Sequence, residues 1–232
     1  SYIDSGAVIA STGDITISAL ADNNAEANAD GTSFGAIGVG TSIADALSQG
    51  SSRAQLNGEV SRADDILVRA VTDNTSYADG VSASAGILSG QGTVISATDR
   101  SSTQATLGSS ALLHDQVTGD ISVTADTTIN VDAVGRGRQP GFIGVGVTDA
   151  VATVDNLTRA EVVSGAQVLS GDNFNLLALS DIHADASGSG GSGAVVDISN
   201  ANARVSVTNT TEVRLGSGSK VDVDGVITIL AQ

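Results

Sequence analysis

Polar and apolar residues alternate along short stretches of this chain. From Asp14 to Ala19, Ile15, Ile17 and Ala19 are apolar, and Asp14, Thr16 and Ser18 are polar; Ile121, Val123 and Ala125 repeat the pattern. A period of two over five or more residues, carried by β-branched side chains, predicts a strand with one buried face. The segment occurs five times, as Gly13–Ala19, Asp64–Ala70, Gly119–Ala125, Asp172–Ala178 and Gly225–Ala231. Its lead apolar residues stand at 15, 66, 121, 174 and 227, so the spacings are 51, 55, 53 and 53, and every copy ends on Ala. Two more markers keep the same phase. Strand-like stretches stop at Gly6, Gly58, Gly108, Gly165 and Gly218, preceded by Ile3, Leu56, Leu107, Val162 and Leu215. Gly38-Val39-Gly40 and Gly144-Val145-Gly146 lie 106 positions apart, twice 53. The stretches Ala36–Ala46 and Phe142–Val154 are rich in Ala, Gly, Ile and Val with no helical stripe. Ser42–Gln49 has some local helix propensity, but a strand fits the surrounding pattern better.

Each unit holds too little bulk to bury its own apolar face. Stacking the copies in register lets each strand bond to its equivalent in the next and buries a continuous narrow core. The expected fold is therefore all-β, a parallel β-solenoid (β-helix) of about four repeats of roughly 53 residues. We expect a single continuous solenoid segment over 1–232, with repeats of approximately 6–57, 58–107, 108–164 and 165–217 and a partial repeat 218–232. The sharp form of this expectation is one ladder through Ile15, Ile66, Ile121, Phe174 and Ile227. The period leaves coil size open, as one wide turn or as two to three shorter coils. The run Ser187–Gly193 is expected to be a turn within a repeat rather than a linker. Because Ser1 opens in mid-pattern, the chain is expected to be an internal piece of something longer.

Composition narrows the interior. There are 28 Gly, 1 Pro and 2% aromatic residues, with no Trp, Met or Cys. A broad globular core normally needs such bulk. Ala and Gly at inward positions would let facing sheets approach more closely than the usual ~10 Å. The formal charge is −16 and Lys220 is the sole lysine. Phosphate recognition needs basic clusters, so nucleic acid is not an expected partner, and neither is an anionic membrane surface. No apolar run approaches the ~18 residues of a membrane-spanning helix, so no membrane insertion by this segment is expected. The absence of Cys excludes a disulfide scaffold and a thiolate metal site.

A Gly-Asp-Ile-x-Val-x-Ala strand (Gly119–Ala125), an Ala/Asn-rich stretch, a Gly-Val-Gly core strand and a strand closing on Gly together resemble the repeats of giant bacterial filamentous adhesins. These are the filamentous haemagglutinin-like and leukotoxin-type filamentous surface proteins of Gram-negative bacteria. The likeness covers nearly the whole chain. It implies a stalk that is extracellular or on the cell surface, used for attachment or matrix building. The partners implied are further copies, through self-association into filaments, and cell surfaces or polysaccharide. That family brings no catalytic residues, so none are carried over.

The sequence offers little for chemistry, and we assign no catalytic, cofactor-binding or metal-ligating residue and no cofactor. His114 and His183 lie in different repeats and are expected to be exposed loop residues without partners; a zinc site needs three or four clustered ligands. Asp64-Asp65 and Asp120 sit at equivalent strand starts, and Asp222 and Asp224 share one face of Asp-Val-Asp. Stacked carboxylates of this kind would suit Ca²⁺, but a turn-shaping role is the simpler expectation. A calcium- or carbohydrate-binding module is thus the alternative function. A polysaccharide-active enzyme ranks lower, since no unique pair of carboxylates stands out, and no Ser lies near a His in a recognisable motif. Asn74-Thr75-Ser76, Asn156-Leu157-Thr158 and Asn209-Thr210-Thr211 match the glycosylation sequon, which arises easily in such a composition. Arg136-Gly137-Arg138-Gln139-Pro140 holds the only Pro and is expected to protrude as a loop.

Overall fold

The computed structural model describes Ser1–Gln232 and contains strands but no helix. The strands are β1 (Tyr2–Ile3), β2 (Val8–Ala10), β3 (Ile15–Phe34), β4 (Ile37–Leu56), β5 (Glu59–Arg62), β6 (Ile66–Leu107) and β7 (Leu112–Leu113). They continue with β8 (Ile121–Arg138), β9 (Gly141–Val162), β10 (Gln167–Val168), β11 (Phe174–Gly191), β12 (Val196–Leu215), β13 (Lys220–Val221) and β14 (Ile227–Ala231). All pairings are parallel. An outgoing sheet is built from β3, the first half of β6, β8, β11 and β14. A return sheet is built from β1, β4, the second half of β6, β9 and β12. A narrow closing sheet of β2, β5, β7, β10 and β13 completes the circuit. The chain is a parallel β-solenoid. One period is one wide coil holding three strands, the point the spacing alone left open.

The predicted ladder is present: Ile15 pairs with Ile66, Ile66 with Ile121, Ile121 with Phe174, and Phe174 with Ile227. The apolar residues before the marker glycines form a second ladder, Ile3–Leu56–Leu107–Val162–Leu215. Between the two ladders the chain length is constant. Ile15 to Leu56, Ile66 to Leu107, Ile121 to Val162 and Phe174 to Leu215 each span 41 positions. The uneven spacings of 51 and 55 arise wholly at the closing sheet. Leu56 to Glu59 spans three positions where Leu107 to Leu112 spans five, and Leu112 to Ile121 spans nine where Glu59 to Ile66 spans seven. A one-residue slip in a long strand would turn every side chain to the wrong face, whereas a corner absorbs insertions cheaply. The marker glycines are accordingly not equivalent. Gly6, Gly165 and Gly218 occupy the third position after the ladder with φ of 83°, 90° and 71°, a conformation Gly adopts without a Cβ penalty. Gly58 and Gly108 stand elsewhere in their corners.

In cross-section each coil is a wedge. The thick end lies at the closing sheet, where Leu56, Leu107, Leu113, Ile66, Ile121, Phe174 and Leu176 are buried in one cluster. A second cluster, mostly Ala with Ile95, Ile129, Val131 and Val154, fills the middle. At the thin end the two long sheets nearly touch. A Cβ on Gly38 would lie 2.9 Å from the Ala85 carbonyl oxygen, and one on Gly188 would lie 2.5 Å from that of Asn202. Ile95 fits in the thin half because Gly80 and Gly135 face it without side chains. The expected close approach of the sheets therefore occurs at one end of the coil, while the other keeps an ordinary apolar core.

Several local expectations need correction. Arg136 and Arg138 lie within β8, and Gln139 is fully buried. The outgoing strand runs through this segment to reach the thin corner, so no loop protrudes there. Ser187–Gly191 belongs to β11, and only the residues after Gly191 form the turn. Ser42–Gln49 is strand, within β4.

Candidate functional site

The alternation that buries Ile and Val also points polar side chains inward, and these collect in a seam between the two apolar clusters. Thr72 and Thr127 stack in the outgoing sheet, and Ser52, Thr103 and Thr158 stack opposite them in the return sheet. Their hydroxyls zigzag between the sheets: Thr158 donates to Thr127 at 2.8 Å, Thr127 to Thr103 at 2.7 Å and Thr103 to Thr72 at 2.7 Å, with Ser52 2.8 Å from Thr72. Two positions along, Asn23 donates to Asn74 Oδ1 at 2.8 Å and Asn74 to Asp99 Oδ2 at 2.7 Å. Asn156 Nδ2 reaches Thr158 Oγ1 at 3.0 Å and Asn209 Oδ1 at 2.9 Å, tying the amide line to the hydroxyl line. Buried polar groups cost little only when partnered, and almost all of these are.

The one fully buried carboxylate of the chain, Asp99, sits in this seam. Burial pushes its carboxyl above the ordinary range, opposed by the hydrogen bonds from Ser101 and Asn74. As a carboxylate it accepts the Ser101 hydroxyl proton at 2.7 Å. Ser101 has only that proton, yet Asn156 Oδ1 lies 3.2 Å from the same oxygen. Protonated on Oδ1, Asp99 donates to Ser101 instead, and Ser101 in turn donates to Asn156. Burial thus raises the proton affinity of this carboxyl, while the donors Ser101, Asn74 and Ser48 hold the rise back.

The seam also explains the three sequons. Asn74 and Asn156 are buried, and Asn209 is held by Asn156. In a strand, positions i and i+2 share a face, so an inward Asn followed by an inward Thr or Ser reads as a sequon. That coincidence, repeated three times, was the signal in the sequence for a polar interior.

A different column runs along the outside, at the start of the outgoing strands. Asp14, Asp65, Asp120 and Asn173 stack, and each side chain accepts from the backbone of the next coil. Asp120 N–H donates to Asp65 Oδ1 at 2.8 Å, Asn173 N–H to Asp120 Oδ1 at 3.2 Å and Val226 N–H to Asn173 Oδ1 at 2.9 Å. A shallow groove follows the column past Asp14, Asp65 and Asp120. Stacking and turn-shaping are thus one arrangement. Asp64 stands beside the column and accepts from Thr118 Oγ1 at 3.3 Å. Asp222 and Asp224 lie beyond the two-residue strand β13, with Asp222 against Lys220 at 2.9 Å. No three His, Asp or Glu side chains converge on a point. His114 differs from expectation: it is half-buried and meets Glu59 of the preceding coil at 2.8 Å. His183 is exposed, but on β11 rather than in a loop.

The two broad outer faces differ in charge. The outgoing face carries Asp22, Glu26, Asp30, Asp73, Asp79, Asp126, Asp132, Asp181 and Asp185 against Arg69, Arg136 and Arg138. The return face carries Asp45, Asp149, Asp155, Glu161 and Glu212 against Arg53, Arg100, Arg159, Arg204 and Arg214, so it is balanced. Partial burial tends to raise the Glu212 carboxyl, but hydrogen bonds from Arg159 and Arg214 outweigh this and hold it below its ordinary value. Towards the thin corner the return face loses charge altogether. Its outermost columns are Ile37–Leu88–Ile143–Val196, Val39–Gly90–Val145–Ile198 and Thr41–Gly92–Val147–Asn200. Phe34, Ile87, Phe142 and Val195 stand exposed at the adjoining corner.

No protein-family model matches the chain, and no curated protein or solved structure matches it.

Proposed function

We propose that the chain is a structural or adhesive repeat segment of a long extracellular bacterial surface or matrix protein. The observation that supports this reading most is the constant 41-position span of the two long strands across successive coils. Selection for constant coil dimensions yields a rod that lengthens by about 4.8 Å per coil, with long flat faces for contact. The likeness of the repeats to filamentous adhesins points the same way and supplies the location. On this reading the partners are further copies in a filament, cell surfaces or polysaccharide, and the chain does no catalysis. The test is surface display. Antibody raised against the purified segment should label intact cells of the source bacterium, and protease added outside should abolish the label. Labelling only after lysis would overturn the proposal. A calcium-binding variant has its location in the Asp14–Asp65–Asp120 column. It requires that EDTA lower the melting temperature of the purified segment, and an unchanged value removes it.

A further inference from the structure

The uncharged thin corner of the return face is a contiguous exposed apolar surface. Val145 is 48% exposed although β9 is paired on both sides, and Val39, on the end strand β4, is 65% exposed. On soluble chains, contiguous apolar patches of this kind mark contact sites. Its centre is shaped. Gly90 lies between Val39 and Val145, and Gly92 between Thr41 and Val147, so β6 forms a trough between two ridges. The trough has a volume of about 280 Å³ and is lined almost wholly by apolar atoms.

We propose that this patch is where a second copy of the chain docks, side by side and antiparallel about a two-fold axis. Two observations select a copy over other occupants. First, the chain carries −16 overall, but its return face balances five acids with five arginines, while the outgoing face has nine acids and three arginines. Two copies meeting return face to return face hold their acidic faces outward and apart, whereas outgoing face against outgoing face brings like charges together. Second, a ridge and a trough lie on adjacent strands, about 4.8 Å apart. A two-fold axis lying between β6 and β9 and parallel to them sets Val145 and Val147 of each copy over Gly90 and Gly92 of the other, which is the self-complementarity an isologous contact requires. Three columns over four coils cover about 400 Å² per copy by strand and residue spacing. That is half a standard interface of about 800 Å² per partner, so the dimer is weak and concentration-dependent. Such a dimer forms wherever the protein resides.

The test is sedimentation equilibrium of the purified chain over a hundredfold concentration range at low and high salt. A monomer–dimer equilibrium that salt does not weaken is expected. Gly90→Val and Gly92→Val fill the trough, and each should weaken dimerisation at least tenfold. The fold should tolerate both, because the nearest atom to an added Cβ is 3.7 Å away in each case. The chain has no Cys, so Gly90→Cys chains mixed with Val145→Cys chains report the register and should cross-link to each other under mild oxidation. A monomer at every concentration, or a dimer indifferent to both glycine variants, overturns the proposal. Binding to neutral phosphatidylcholine vesicles that Gly90→Val abolishes, with no dimer formed, would assign the patch to lipid instead. Surface labelling of cells is unaffected by any of these outcomes, so the two proposals fail separately.

Discussion

The thick corner and the polar seam lie a few residues apart on the same strands, yet they hold the coils together differently. At the corner, Phe174, Leu176 and their stacked neighbours remove apolar area from water, about 1.5–3 kcal/mol for each large side chain. In the seam, net stabilisation per hydrogen bond is only ~1 kcal/mol, but an unpartnered buried group costs more than that. The corner therefore tolerates any apolar residue of about the right size, as the column Ile121–Phe174–Ile227 illustrates. The seam tolerates only residues whose donors and acceptors match across the gap. The lesson is that a parallel ladder fixes position, and the opposing sheet fixes chemistry.

That contrast can be broken most forcefully at the corner. Phe174→Ala should cost about 3–5 kcal/mol, read as a fall in the denaturant midpoint with unchanged m-value; a loss below 1 kcal/mol would mean the corner is not a packed core. Thr103→Val, nearly isosteric, removes the middle hydroxyl from the zigzag and leaves Thr127 without its acceptor. A loss of about 1–3 kcal/mol is expected, and Val should be worse than Ser at this site, whereas a site governed by packing would rank them the other way.

Asp99→Asn sharpens the comparison through pH. The folded carboxyl is raised above its ordinary value of about 3.9, so the folded state holds the proton more tightly than the unfolded chain. Its contribution is fully present below that ordinary value and is lost as pH rises through the raised one. Asn reproduces the neutral acid, with Nδ2 donating to Ser101 and Oδ1 accepting from Asn74. The variant should therefore gain on the wild type in melting temperature as pH rises from 4 to 8, with the two equal at low pH. A variant less stable than wild type at pH 7 would mean that the ionised form is the one the seam is built for. The smallest effect belongs to the outer surface. Arg136→Ala removes the 3.0 Å pair with Asp79, and an exposed pair of this kind contributes less than about 1 kcal/mol, a difference that should shrink further in high salt.

The sequence itself carried the strands, the parallel stacking and the ladder through Ile15 and its equivalents, because alternation and period are properties of one strand and its next copy. It carried the turn chemistry of the Asp column for the same reason. It could not carry what faces what. The inward positions Thr103 and Thr127, 24 residues apart, meet only because the chain turns at the thin corner, and nothing local to either predicts the other. The same turn buries Gln139 and puts Arg138 in a strand, although Pro140 beside them reads locally as a loop. His114 finds Glu59 only because a corner shortened by two residues pairs Glu59 with Leu112, within reach of the imidazole. Which outer face is acidic and which is apolar also depends on the side of the wedge each strand occupies. Local alternation is set by backbone geometry, and the sequence alone determined it. The pairing of opposite sheets is set by the length of the path around the coil, and only the tertiary structure decided it.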